Sequence, residues 1–210
     1  MQIKCNALLL IGFLFASICC KAQVNSNIEI FNIRAMGMNV GTITVNQQKN
    51  GDRLVVEAIS EVEVRIIFKI KVKYIQTSIY EKGELIESSL KIYKKEEVDS
   101  NTRLTKNGNG YILDKDGEIS HVNDKIHYSG SLLYFNEPIN VKELYFEING
   151  EKTTVEPIET NKYLITDPHN GKKNEYTYEN GVLKRAVVKH NLANVYLERR
   201  TETTQVSATN

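Results

Sequence analysis

Leu54-Val-Val-Glu-Ala-Ile-Ser-Glu-Val-Glu-Val-Arg-Ile-Ile-Phe-Lys-Ile-Lys-Val-Lys-Tyr74 is the stretch on which the fold class turns. Its even positions hold Leu54, Val56, Ala58, Val62, Val64, Ile66, Phe68, Ile70, Val72 and Tyr74, while the odd positions are mostly Glu57, Glu61, Glu63, Arg65, Lys69, Lys71 and Lys73. Period two with one oily and one charged side is the signature of a half-buried β-strand. A single strand of this length would run about 70 Å, well past the usual span, so a corner or hairpin must interrupt it. The alternation falters at Ile66-Ile67-Phe68, which places the break near Arg65 to Ile67, with a bulge there as one way to make it. If the halves pair through that corner, the acidic ridge of Glu57, Glu61 and Glu63 faces the basic ridge of Lys69, Lys71 and Lys73.

The same alternation extends in both directions. Upstream and through the middle it predicts strands at Ile28 to Met36, Val40 to Gln48, Arg53 to Val64, Phe68 to Tyr80, Leu85 to Lys94, Thr102 to Lys106, Tyr111 to Asp114 and Glu118 to Val122. Downstream it predicts Glu143 to Ile148, Thr153 to Pro157, Lys162 to Thr166, Asn174 to Tyr178, Val182 to His190 and Asn194 to Arg200. Asn-Gly, Asp-Gly and Lys-Gly pairs separate many of them, as in successive hairpins. Three hairpins are alike, at Tyr80-Glu-Lys-Gly-Glu-Leu-Ile, Leu113-Asp-Lys-Asp-Gly-Glu-Ile and Tyr178-Glu-Asn-Gly-Val-Leu, with irregular spacing that indicates a reused turn and no solenoid repeat. His127-Tyr-Ser-Gly-Ser-Leu-Leu-Tyr-Phe-Asn-Glu-Pro138 breaks the pattern and predicts a short helix from Tyr128 to Phe135, ended before Pro138 and plugged against the oily side. The expected fold is mainly β: a strongly curved antiparallel sheet or incomplete barrel of about 10–14 strands with one short helix.

The beginning of the chain reads differently. Ala7 to Cys20 is an apolar run behind Lys4 and ahead of Lys21-Ala22-Gln23, the layout of a secretory signal. The run is shorter than the roughly 20 residues of a membrane-spanning helix, so residues 1–22 are expected to be cleaved after Ala22, leaving no stable transmembrane anchor. Lipidation at Cys19 or Cys20 is the rival, weakened because neither cysteine follows a small residue. The chain would then be exported, periplasmic or extracellular, as one β-rich domain over residues 23–200 with a polar tail at 201–210.

All three cysteines lie before that cleavage point, which removes thiol nucleophiles, cysteine-based zinc sites and iron–sulfur clusters from the mature chain. Loss of Lys4 and Lys21 takes the net charge from +1 to −1, so nothing steers the molecule to nucleic acid. His121, His127, His169 and His190 have no metal-motif spacing, and no cofactor pattern is present. Ser129-Gly-Ser131 lacks the frame of a nucleophile elbow and reads as a loop leading to the short helix. Acidic pairs such as Glu96-Glu97 read as a solvated surface, because glycosidase carboxylates must flank a cleft. Eleven tyrosines and no tryptophan suit polar-tipped aromatics at the margin of a β core, with a ligand-lining role as the less common use.

Gly41, the Tyr80-Glu-Lys-Gly-Glu-Leu hairpin, the Tyr128 to Pro138 motif and the closing hairpin Asn174 to Leu183 together resemble a family of exported domains of unknown function from Bacteroidota. More distantly, the architecture is similar to periplasmic half-barrels of the lipoprotein-carrier (LolA/LolB-like) kind. That second resemblance implies a curved sheet with a helical plug around an apolar cavity. The functional expectation is a non-catalytic envelope protein that binds a lipid-like small molecule or an envelope protein partner. Phe68, Ile70, Val72, Tyr74, Leu133 and Phe135 are the candidate cavity lining, although plain core is the commoner use of each. An envelope hydrolase acting on a glycan or ester is one alternative, and a small outer-membrane β-barrel is another.

Overall fold

A computed structural model describes residues 25–65 and 69–201. The expected signal segment 1–22, Phe68 and the expected tail beyond Thr201 lie outside the described residues. Fourteen strands follow one another in the chain. The first eight are β1 (Asn25–Ala35), β2 (Met38–Asn50), β3 (Arg53–Arg65), β4 (Lys69–Glu81), β5 (Glu84–Lys94), β6 (Glu97–Asn107), β7 (Gly110–Lys115) and β8 (Glu118–Val122). A crossover then leads to β9 (Glu143–Phe146), β10 (Glu151–Glu159), β11 (Lys162–Thr166), β12 (Lys173–Glu179), β13 (Val182–Val188) and β14 (Val195–Arg199).

All fourteen belong to one antiparallel sheet, in the order β8-β7-β6-β5-β4-β3-β2-β1-β14-β13-β12-β11-β10-β9. Two meanders are therefore joined where β14 returns to β1, with Phe31 opposite Arg199 and Ala35 opposite Val195. The sheet is strongly curved and stays open, since β8 and β9 are its two free edges. Register shifts at Ile33/Arg34, Ile79/Tyr80, Ile92/Tyr93 and Thr177/Tyr178 mark where extra residues bend the strands. Two-residue turns with positive φ at both positions, as at Asp116-Gly117 and Asn180-Gly181, match the right-handed twist of the strands they join.

The 54–74 stretch does divide into two strands. β3 ends at Arg65, β4 begins at Lys69, and the two pair over their full length from Arg53 opposite Glu81 to Arg65 opposite Lys69. The charged ridges meet in part. Glu61 lies opposite Lys73 with an ion pair at 3.0 Å, and Glu63 lies opposite Lys71, whereas Glu57 faces Thr77. The sheet's free edges and these outward ion pairs are at odds with the membrane-barrel alternative, which needs closure and a lipid-facing apolar surface.

The other face of the sheet wraps the core, in which Phe31, Val45, Val56, Leu104, Ile165 and Ala186 are fully enclosed. The crossover, residues 123–142, runs through this interior. Ile126 accepts a hydrogen bond from the Leu85 amide at 2.8 Å, and Tyr128 accepts one from the Tyr145 amide at 3.1 Å, tying the crossover to β5 and to the edge of β9. The helix expected at Tyr128 to Phe135 is a single 3-10 turn, Gly130–Tyr134. Ser129 is extended and paired with β9, and Phe135 already leaves the helix, so less than two turns remain between sheet pairing and Pro138.

Candidate functional site

The 3-10 turn puts Ser131, Leu132 and Leu133 into the core and brings Ser129 and Ser131 over strand β4. There the oily parity of β4 is broken by Gln76, Ser78 and Tyr80, all buried. β9 and the residue that follows it supply the group on which these converge. Glu147 is only 4% exposed, and its Oε1 accepts hydrogen bonds from the Ser129 hydroxyl, the Ser131 amide at 3.1 Å and the Ser78 hydroxyl at 3.3 Å. The Tyr80 hydroxyl bonds to Ser129 and, at 2.8 Å, to Ser131. The chain continues from Ser78 to Ser88 at 3.0 Å, to Gln76 at 3.1 Å, and from Gln76 to the Tyr74 hydroxyl at 2.8 Å. A buried polar network of this kind is stable only because nearly every lone pair and proton is used.

Glu147 Oε2 is the exception. Every hydrogen bond to Glu147 falls on Oε1, and no ion pair reaches the residue among the described residues. Glu147 borders a cavity of ≈ 190 Å³ whose walls include Leu133, Tyr134, Phe146, Tyr176, Leu183 and Leu197, with Tyr74 and Gln76 alongside. A wider groove of ≈ 450 Å³ shares Phe146, Ile148, Tyr176 and Val188 with it and leads outward past Asp167 and His169. On the other side of the plug, a third hollow of ≈ 660 Å³ reaches Tyr80 and Leu132 from the end bounded by Gly51 and Gly83. Burial raises the hydroxyl pKa of Tyr74, Tyr80 and Tyr134 above the usual 10.0, and the negative charge of Glu147 raises each further. These phenols stay neutral and act as hydrogen-bonding groups.

Of the expected lining, Tyr74 and Leu133 do border the cavity. Ile70 is 50% exposed near the far end of the β3–β4 hairpin, beyond the core, so its place in the lining is corrected. Val72 and Phe135 are half-buried and lie outside the lining: Val72 is too far along β4, and Phe135 caps the 3-10 turn on its other side. The serines were the part sequence reasoning passed over. Ser129-Gly-Ser131 is buried and bonded to a carboxylate, where a loose loop was expected. The available signal was three polar-tipped residues, Gln76, Ser78 and Tyr80, at positions where the parity of β4 demands a dry face. All four histidines are exposed, and among the described residues none is hydrogen-bonded to either serine; the group beside the Ser129 hydroxyl is the Glu147 carboxylate.

Comparison with known proteins agrees with this architecture. The description "Domain of unknown function (DUF6134)" matches residues 31–200. Among solved structures, the chain is similar to a beta-barrel-like protein of domain of unknown function DUF1849 from Brucella abortus, at 7% identity and a TM-score of 0.57, over 85% of this chain and 96% of that one. At that identity the likeness concerns the fold alone. No curated protein matches the chain.

Proposed function

The chain belongs to the DUF6134 family of domains of unknown function, and from that premise we propose that it is an exported, non-catalytic binding protein of the cell envelope that holds a small amphipathic ligand inside its curved sheet. The observation that carries this reading is the cavity of ≈ 190 Å³ beside the plug, apolar in most of its wall and polar at Glu147. Small-ligand sites tend to combine these features, with apolar walls giving affinity and a few placed polar groups fixing orientation. A carboxylate in a fold's interior is costly unless something beyond packing retains it. The export half of the proposal rests on the signal reading of residues 1–22, and the likeness to carrier half-barrels read from the sequence supports an enclosed site.

Native mass spectrometry of the protein purified from its own host's envelope tests both halves. The expected spectrum has a polypeptide mass beginning at Gln23 plus a further mass that organic extraction removes. A bare polypeptide before and after extraction would count against the ligand, and a mass retaining residues 1–22 would count against export by cleavage.

A further inference from the structure

We propose that the group recognised at the inner end of this cavity is an ammonium: the ligand is a small organic amine with an apolar body, its cationic nitrogen seated between Glu147 Oε2 and the rings of Tyr74, Tyr134 and Tyr176. The inference rests on the binding reading above and deepens it.

Charge is the first argument. Glu147 is 96% buried, counting from its 4% exposure, yet no cation of the protein answers it among the described residues. Among the described residues the cavity lining contains no lysine, arginine or histidine. Lys115 lines the outer groove instead. Three donors converge on Oε1 and, among the described residues, none on Oε2, so the polar network engages one oxygen of a side chain that lines the hollow and leaves the other without a donor. Gly130 keeps that oxygen accessible, since a Cβ there would stand 3.1 Å from Oε2 and 3.1 Å from the Phe146 ring.

The walls supply the second argument. Tyr74, Tyr134 and Tyr176 line the same cavity as Glu147, and the charge of Glu147 raises the hydroxyl pKa of both Tyr74 and Tyr134. Among the described residues neither Tyr134 nor Tyr176 spends its hydroxyl on a protein partner, which leaves two oxygens able to accept from N–H. Aromatic rings around a carboxylate attract cations through the negative face of each π-system. An anionic ligand such as a fatty acid would meet the opposite: an unpaired carboxylate with no basic group at hand. By volume, ≈ 190 Å³ suits a ligand head of about six non-hydrogen atoms, taking about 30 Å³ for each water-sized unit. A longer apolar body has room in the groove that shares Tyr176 and Val188.

The test uses three probes of equal length, hexylamine, hexan-1-ol and hexanoate, titrated calorimetrically into the protein carrying residues 23–210. Hexylamine should bind on the order of tenfold or more tighter than hexan-1-ol, with hexanoate weakest. Glu147→Gln keeps an oxygen for the three donors and should erase that tenfold preference. Gly130→Ala, which sets a methyl against Oε2, should weaken hexylamine selectively, and it keeps the test open should Glu147→Gln fail to fold. Equal binding of amine and alcohol, or a preference that survives in both variants, would overturn the ammonium assignment and leave the cavity reading intact. Tightest binding by hexanoate would overturn it in sign. Absence of binding by all three probes would remove the cavity reading as well.

Discussion

Tyr80 and Tyr178 are chemically identical, almost fully buried, and placed in opposite circumstances. The Tyr80 hydroxyl joins Ser129 to Ser131 and so holds the plug onto β4. The Tyr178 hydroxyl is enclosed without a hydrogen-bond partner, and its ring packs edge-on against Tyr163 at 5.7 Å. Removing a hydroxyl matters only for the groups it leaves behind. Tyr80→Phe leaves two buried serines short of a partner and should cost about 1–3 kcal/mol in urea denaturation. Tyr178→Phe preserves the ring contact, removes an orphaned polar atom, and should be neutral or stabilising in the same experiment. Equal losses at the two sites would mean that the plug network contributes nothing particular. No sequence pattern separates these two residues: both precede an x-x-Gly turn in hairpins that look alike.

At the scale of strands, Gly41 sets how closely β2 and β3 approach. A Cβ at that position would collide with the Glu61 carbonyl and stand 2.9 Å from the Val62 Cα, and both neighbours are backbone that cannot swing aside. The register shift at Ile33/Arg34 falls beside it, with Ile33 opposite Gly41 and Arg34 opposite Asn39, so the close approach and the bend belong to one device. Gly41→Val should therefore destabilise the protein by about 1–3 kcal/mol or more, in spite of valine's preference for strands. A urea midpoint unchanged from the parent would show that the strands separate there without cost. The strands themselves were readable in advance. Fourteen candidates correspond to the fourteen observed, and Glu118–Val122 and Lys162–Thr166 coincide to the residue. Parity and turn chemistry are local, so a linear pattern carries them. The site was readable only in part. Tyr74 and Leu133 followed from parity and from the plug motif, whereas Glu147 sits in Leu144-Tyr-Phe-Glu-Ile148 with nothing local to mark it as interior.

Across the whole molecule, the interior is lined with tyrosine to an unusual degree, and this should govern its response to alkali. Nine of the eleven tyrosines have hydroxyls raised above 10.0, burial being the main cause at each. In the unfolded chain they ionise near 10.0, while the folded protein keeps its protons, with Tyr163 and Tyr176 pushed up to about 12. The stability they contribute is whole below that unfolded value and is lost as pH rises through the folded ones. Urea midpoints measured from about pH 8 to 12 should stay level and then fall steeply above about 10. A level profile to the upper limit would contradict the burial of these hydroxyls. The residue order alone settled the β class, the existence and order of the strands, the break in the 54–74 stretch and the plug segment, because alternation, glycine turns and proline stops act over a few residues. The closing of β14 onto β1, the sheet's open edges, and the meeting of Ser78 on β4, Ser129 on the crossover and Glu147 beyond β9 arise from contacts between residues 18 to 168 positions apart. Curvature brings such residues together, and curvature is the sum of many small bends and register shifts that no single stretch of sequence contains.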